Sequence, residues 1–202
     1  VFGNQQILVV KADAPWQTFD EWLAYVKEHP NEFTFGVSGG IGGGSHLPMA
    51  ELELQAGITV KPVPFEGTPP AITAILGGHV QGAILQPSDA KALIESGELR
   101  AIFNAGGVPV PYFPDIPLLK DKGFDIVYDS NTSLMAPPDL PENIKVKLQE
   151  AIKKTMEDPE VIAEFEKASL QVQYGTSEQV QEELDAENEK AAVILKELNL
   201  ID

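Results

Sequence analysis

The residues best suited to chemistry in this sequence lie close together, in Phe33–Leu47, which reads FTFGVSGGIGGGSHL. Six glycines fall within the nine residues Gly36 to Gly44, and Ser38, Ser45 and His46 add two hydroxyls and an imidazole. Ordering so many glycines carries a large entropic cost, so such a run is retained where backbone must turn sharply or approach a ligand closely. The residues before it form a short apolar strand and those from Ser45 onward open a helix. A helix start presents unpaired N–H groups and partial positive charge, so the segment reads as a receptor for an anion.

Three known uses of such a loop can be tested on the residues. A nucleotide P-loop needs G-x-x-x-x-G-K-[ST]; Gly39 and Gly44 have the spacing, but Ser45-His46 follow and the lysine is missing. The dinucleotide pattern G-x-G-x-x-G fails because Ser45 stands where the third glycine belongs after Gly40 and Gly42. Gly36-Val37-Ser38-Gly39-Gly40 does fit the nucleophile elbow G-x-S-x-G. An esterase using Ser38 would then need an acid, with Glu51, Glu53 and Glu66 available, and a later histidine. His79 is the only histidine beyond the turn, and it comes too early in the chain for that role. Carboxylate or phosphate binding by backbone N–H groups and serine hydroxyls is the reading left by these exclusions. His46 either donates to the anion or caps and packs the turn.

A second anion-holding turn is expected at Pro64-Phe65-Glu66-Gly67-Thr68-Pro69-Pro70, with Thr68 as helix N-cap. Gln86, at the end of the next strand, would line the same edge. Turns of neighbouring βα units open on one crevice at the carboxyl ends of their strands. His29, His46 and His79 lack metal-ligand spacing, so no metal and no cofactor is expected.

The elements that must position these turns alternate strand and helix. Ile7–Val10 is a continuous apolar run of the kind found in buried strands. Thr18-Phe19-Asp20-Glu21 matches a capping box and starts a helix whose Phe19, Trp22, Leu23 and Val26 share a face. Phe33–Val37 (strand), Ser45–Ala56 (helix), Thr59–Val63 (strand), a helix to Leu76, Gly82–Leu85 (strand), Pro87–Glu95 (helix) and Leu99–Phe103 (strand) follow. Pro109, Pro111, Pro114 and Pro117 then mark an extended crossover. Phe124–Tyr128 and Ser133–Met135 read as strands. The remainder is helical, with Pro141–Met156, a helix from Asp158-Pro159, and a capping box at Thr176-x-x-Gln179.

Composition bounds the function. The 202 residues carry 14 Lys and Arg against 31 Asp and Glu, a net charge of −17. That disfavours nucleic acid and anionic lipid surfaces, both of which select for clustered cations. There is no cysteine, and no apolar run approaches the ~20 residues of a membrane helix. The start, Val1-Phe2-Gly3-Asn4, resembles neither a signal peptide nor an initiating Met, so a mature or trimmed chain is expected.

The ordered series Phe35-Gly36-x-x-Gly39, Gly44-Ser45-His46-Leu47, Ala56-Gly57-Ile58, Val63-Pro64-Phe65-x-Gly67-Thr68-x-Pro70-Ala71, Leu76-Gly77-Gly78-His79-Val80 and Gly97-x-Leu99-Arg100-Ala101 resembles the periplasmic solute-binding proteins of tripartite tricarboxylate transporters, the Bug family. Phe113-Pro114-Asp115-Ile116-Pro117, Gly123-Phe124 and Leu134-Met135-Ala136-Pro137 continue the likeness. The resemblance implies an α/β, periplasmic-binding-protein-like fold: one complete βαβ lobe plus an incomplete, mostly helical second lobe. Residues 12–104 would be the solute-binding lobe, the family's second. Residues 1–11 and 105–202 would be crossing strands and a remnant of its first lobe. It further implies a receptor without catalysis or cofactor, periplasmic or otherwise extracytoplasmic, from a secreted or lipid-anchored precursor. That receptor would capture a small di- or tricarboxylate for membrane transporter subunits, without inserting in the membrane itself.

By the same resemblance Ser38, Gly39, Gly40, Ser45 and His46 match one carboxylate-holding loop, and Phe65, Glu66, Gly67 and Thr68 its neighbour. Three departures stand out. The family's opening strand and first glycine-rich turn have no counterpart in this sequence. Its common Tyr-Lys is Phe65-Glu66, and its frequent aspartate is Leu85, beside Gln86. With cation and acid both lost, a plain or hydroxylated carboxylate is expected rather than an amino acid. The remaining readings are the Ser38 esterase and a degenerate lobe without ligand.

Overall fold

In the computed structural model, residues 2–168, 170–198 and 200–201 are described. Val1, Ser169, Asn199 and Asp202, which the expected first-lobe remnant includes, lie outside the described residues. The elements are β1 (Phe2–Gln5), β2 (Ile7–Lys11), α1 (Phe19–Glu28), β3 (Thr34–Ser38), α2 (Leu47–Ala56), β4 (Lys61–Phe65), α3 (Thr68–Leu76), β5 (Gly82–Leu85), α4 (Pro87–Glu95), β6 (Leu99–Asn104), β7 (Asp129–Thr132), α5 (Glu142–Met156), α6 (Pro159–Lys167), β8 (Gln171–Val172) and α7 (Ser177–Glu197). They form two compact units, Gln5–Asp129 with Ala192–Asp202, and Val1–Asn4 with Ser130–Ala191.

The larger unit is a five-stranded mixed sheet in the order β4-β3-β5-β2-β6. Strand β3 runs parallel to β4 and β5, whereas β2 is antiparallel to both β5 and β6. This topology brings the carboxyl ends of β3, β4, β5 and β6, and the amino end of β2, to one edge of the sheet. The alternation of side chains along β2 divides the core. Leu8 and Val10 join Phe19, Trp22, Phe33, Phe35, Met49 and Leu52 on the α1/α2 side. Ile7 and Val9 join Ala71, Ile75, Leu85 and Ala90 on the α3/α4 side. Trp22 is fully buried and meets Phe33 edge-on, centroids 5.5 Å apart.

Helix α1 starts where its capping box places it, with the Glu21 N–H donating to Thr18 Oγ1 at 3.2 Å. The box at Thr176 forms as well, because Thr176 N–H reaches Gln179 Oε1 at 2.9 Å. Other expected boundaries move. Helix α2 begins at Leu47 rather than Ser45, since the Ser45 hydroxyl is bonded to Ser38 and caps no helix N–H. The strand expected at Thr59–Val63 is displaced to Lys61–Phe65 by its pairing with β3. Phe124–Tyr128 and Ser133–Met135 are irregular, and the strand between them is Asp129–Thr132. Ile126 is fully buried in the aromatic core, so its segment packs by side chains without joining a ladder.

The smaller unit is a three-stranded sheet in the order β7-β1-β8 with α5, α6 and most of α7. Its strands are short, and the only buried residue of α5 is Met156. Ile144 and Leu148 on the apolar face of that helix stay exposed, as do Leu134 and Met135.

Candidate functional site

The carboxyl edge of the larger sheet carries three βα turns, and the first is the glycine segment. Gly39 and Gly40 adopt φ of 82° and 92°, where a side chain would be strained. Gly43 is tightly placed instead: a Cβ there would lie 3.2 Å from the carbonyl oxygens of both Gly39 and Gly40. The turn is closed from within. The Ser45 hydroxyl donates to the Ser38 carbonyl at 2.6 Å, and Gly42 N–H donates to His46 Nδ1 at 3.1 Å. Gly43 N–H donates to Gly40 O at 3.2 Å, and the Gly43 carbonyl accepts from His46 and Leu47 at 2.8 and 3.1 Å.

His46 is 3% exposed and its ring stacks on Phe35 at 6.0 Å. Burial pushes its imidazole below the usual histidine value, so the ring is neutral at neutral pH and Nδ1 is free to accept. Of the two roles open in the sequence, the structure shows His46 holding and packing the turn. After these bonds, the N–H groups of Gly40, Ile41, Gly44 and Ser45 have no protein acceptor among the described residues. They lie just ahead of the α2 N-terminus, where partial positive charge adds to their own.

The second turn joins the first through a bond from Gly39 N–H to the Phe65 carbonyl at 3.3 Å. The Phe65 ring lies against Gly36, where an added Cβ would approach it to 3.2 Å. The N-cap of α3 is Gly67, at φ 120°, and not Thr68. Thr68 is the first helical residue, and its hydroxyl hydrogen-bonds the Asp89 carboxylate on α4. Pro69 and Pro70 remove two N–H groups from the start of α3, so this turn offers fewer donors than the first.

In the third turn Gln86 is the extended N-cap of α4, half-buried and itself partnered. Burial raises the Asp89 carboxyl above the usual range, and the Thr68 hydroxyl partly opposes that shift.

The expected site residues are thus brought to one edge, but they divide by task. Ser45, His46 and Thr68 spend their polar atoms on building the turns. Ser38 is half-buried at the end of β3, next to the unpaired backbone donors of the first turn. For the esterase alternative, no hydrogen bond joins Ser38 to a histidine among the described residues. His79 precedes β5 and therefore sits at the opposite end of the parallel strands from Ser38.

Sequence reasoning missed the polar group that shares this edge from β2 and β6. Gln5, Gln6 and Asn104 are buried there, at 3%, 9% and 0% exposure. Asn104 Oδ1 accepts from Gly106 N–H at 2.7 Å, and its amide donates to Val108 O at 3.0 Å. Beside them Asp129 accepts from Gly107 N–H at 3.3 Å. Burial raises the Asp129 carboxyl, while that bond and the charge of Lys120 pull it down. Polar Gln5-Gln6 directly before a buried strand was the available signal; the antiparallel insertion of β2 was not visible locally. Among the described residues no group of three metal-ligating side chains occurs, and no helix is long and apolar enough to cross a membrane.

Comparison with known proteins agrees with this architecture. The chain is 33% identical over 193 residues to the UPF0065 protein in the gbd 5′ region of Cupriavidus necator, covering 96% of this chain and 58% of that protein. This chain therefore spans little more than half the length of that relative. Rpa4515 of R. palustris, solved with adipate, superposes with a TM-score of 0.86 at 20% identity, over 97% of this chain and 66% of its own. MatC of Rhodopseudomonas palustris, solved with malate, gives 0.77 at 24% identity, over 94% and 67%. The fold is that of a periplasmic binding protein, with one complete lobe. The sequence profile of the tripartite tricarboxylate transporter family receptors matches residues 1–200, and the chain belongs to that family.

Proposed function

We propose that this chain is the solute-holding part of an extracytoplasmic receptor that binds a small di- or tricarboxylate and presents it to tripartite transporter subunits in the membrane. The observation that carries this reading is the first βα turn. Four backbone N–H groups stand unpaired there at a helix start, in a loop whose own side chains are spent on holding it rigid. Such a nest stabilises a carboxylate by fixed dipoles, with no cation needed. Ser38, Gly39, Gly40, Phe65, Gly67 and Gln86 border the carboxylate, while Ser45, His46 and Thr68 keep the turns in shape. The relatives solved with adipate and with malate support the ligand class.

Leu85 in place of the family's aspartate leaves no acid at the end of β5 to pair with an ammonium, which suits a ligand without an amino group. The net charge of −17 repels an anion at long range, but salt screens that beyond ~8–10 Å. Local donors therefore supply the affinity. No chemistry is assigned to Ser38, because nothing in the turn activates it. In the full receptor, residues 12–104 act as one jaw, and closure at the crossing strands signals occupancy.

Titration calorimetry with malate, adipate and citrate tests the reading, on this chain and on the chain extended to its relatives' length. Heat from at least one acid, weakened by Gly40→Pro, is expected. Absence of heat from all three in the longer protein would sink it. Hydrolysis of a test ester that disappears in Ser38→Ala would favour the esterase instead.

A further inference from the structure

Because β2 enters the sheet antiparallel, its amino end meets the edge where β3 and β5 finish. The register decides which way the side chains there point. Leu8 pairs with Ile84 of β5, and both lie in the core on the α1/α2 side. Side chains alternate along a strand, and directly opposed residues of an antiparallel pair share a face. Continuing the ladder one residue past Ile7–Leu85 sets Gln6 opposite Gln86, on the same side as Leu8 and Ile84. That is the side of α2, whose entry turn holds the unpaired N–H groups. On β3, Val37 belongs to the same face, and the parallel register continued past Gly36–Ala83 carries Gly39 to the level of Gln86. Gly39, Gln86 and Gln6 thus stand in a row along one edge, each a strand apart. The Gln6 backbone is pinned from the β6 side, where Ala105 N–H donates to its carbonyl at 2.8 Å.

Gln6 is 9% exposed, and its side-chain amide has no hydrogen-bond partner among the described residues. Neither amide atom is sealed from solvent. A stem buried along the sheet therefore carries a polar tip that opens on the edge. An amide buried this far is unfavourable without a partner, so water or a ligand must satisfy it. Other amides of the same unit are committed to structure. Asn104 is spent on Gly106 and Val108, Gln81 on Thr34, and Gln55 on Asp125. Gln6 is left over, beside the turn whose backbone donors are left over as well.

We propose that Gln6 is a ligand-binding residue of the glycine-turn site, and that its amide N–H2 donates to the second carboxylate of a di- or tricarboxylate whose first carboxylate lies on the turn. The proposal rests on the carboxylate reading of that turn. Strands β3 and β2 are two strand spacings apart, about 10 Å between backbones, which suits the far end of a short ligand rather than a substituent beside its first carboxylate. The reach of the glutamine side chain and of the hydrogen bonds at each end shortens that gap to the span of a small diacid. An amide supplies two donors and can receive a carboxylate without a buried cation. A monoacid would leave those donors unpaired, so this residue would make the receptor favour acids with a second carboxylate.

The test is titration calorimetry on the chain extended to its relatives' length. The probes are malate, adipate and citrate, set against lactate and hexanoate, which have a single carboxylate. Gln6→Leu, similar in volume and unable to hydrogen-bond, is expected to weaken whichever polyacid binds by about tenfold, the scale of one hydrogen bond to a charged group. It should leave the monoacids unchanged. Gln6→Glu sets one carboxylate against another and should weaken the polyacid further. If Gln6→Leu fails to fold, the side-chain amide resonance of Gln6 in the wild-type protein gives the same readout, shifting with the polyacid and not with the monoacids. Equal polyacid affinity in the wild type and Gln6→Leu, an equal loss for both classes of acid, or an amide resonance that stays in place would overturn this role of Gln6 and leave the glycine turn as a carboxylate site. No binding of malate, adipate or citrate by the wild type would overturn the carboxylate reading, and this proposal with it.

Discussion

The Ser45 hydroxyl donates to the carbonyl of Ser38 at 2.6 Å, tying the end of the glycine turn back to the strand that enters it. The turn is thereby a closed loop ahead of α2. Ser45→Ala should cost about 1 kcal/mol of stability, the net worth of one hydrogen bond. It should also loosen carboxylate binding several-fold, whereas Ser38→Ala should leave stability unchanged. Urea unfolding and calorimetry on both variants check this pair of outcomes.

Gly39→Ala should destabilise the chain by about 1–2 kcal/mol, because its φ of 82° is strained for any residue with a Cβ. Open space surrounds that position, so the loss is purely conformational. A melting temperature equal to that of the wild type would show that the turn is not held in this conformation.

His46 makes stability depend on pH. Its folded-state value lies below 6.5, so between that lowered value and 6.5 the unfolded chain binds more protons. Stability is fully present above that window and is lost as pH falls through it. Glu53, Asp89 and Asp129, all raised by burial, have the opposite sign: each costs stability as pH rises through its raised value. Urea midpoints between pH 5 and 8 should slope downward on acidification in the wild type and less so in His46→Gln. Equal slopes would remove His46 as the titrating group.

Gly106 cannot accept a side chain. A Cβ there would lie 2.4 Å from Gln5 Cγ and 2.8 Å from Asp129 Oδ1. Gly106→Ala should destabilise by about 1–3 kcal/mol, the usual range for overpacking a buried contact. Asp129→Asn keeps an acceptor for Gly107 N–H without a buried charge, and should be far milder. Thermal melts of the two variants should separate them clearly.

Much of the larger unit was legible locally. Gly82–Leu85 and Pro87–Glu95 form as read, because an apolar run ends against a proline that can start a helix but cannot continue a strand. The Thr18 cap is local as well. The shifted boundaries are those where a long-range partner competed with a local one. Ser45 bonds Ser38 instead of capping α2, and Thr68 bonds Asp89 instead of capping α3. Neither partner can be inferred from the neighbouring residues, since each is supplied by another element.

The sequence by itself determined the α/β class, the glycine turn and the missing lysine, all of which follow from residue types at short spacing. It could not show that β2 enters the sheet antiparallel between β5 and β6, a placement decided by which strands bury each other's apolar faces. That insertion brings Gln5, Gln6 and Asn104 to the edge that carries the glycine turn. Only the tertiary structure separated the side chains that build the turn from the backbone groups left unpaired. That distinction depends on which donors find partners, and the partners are set by packing.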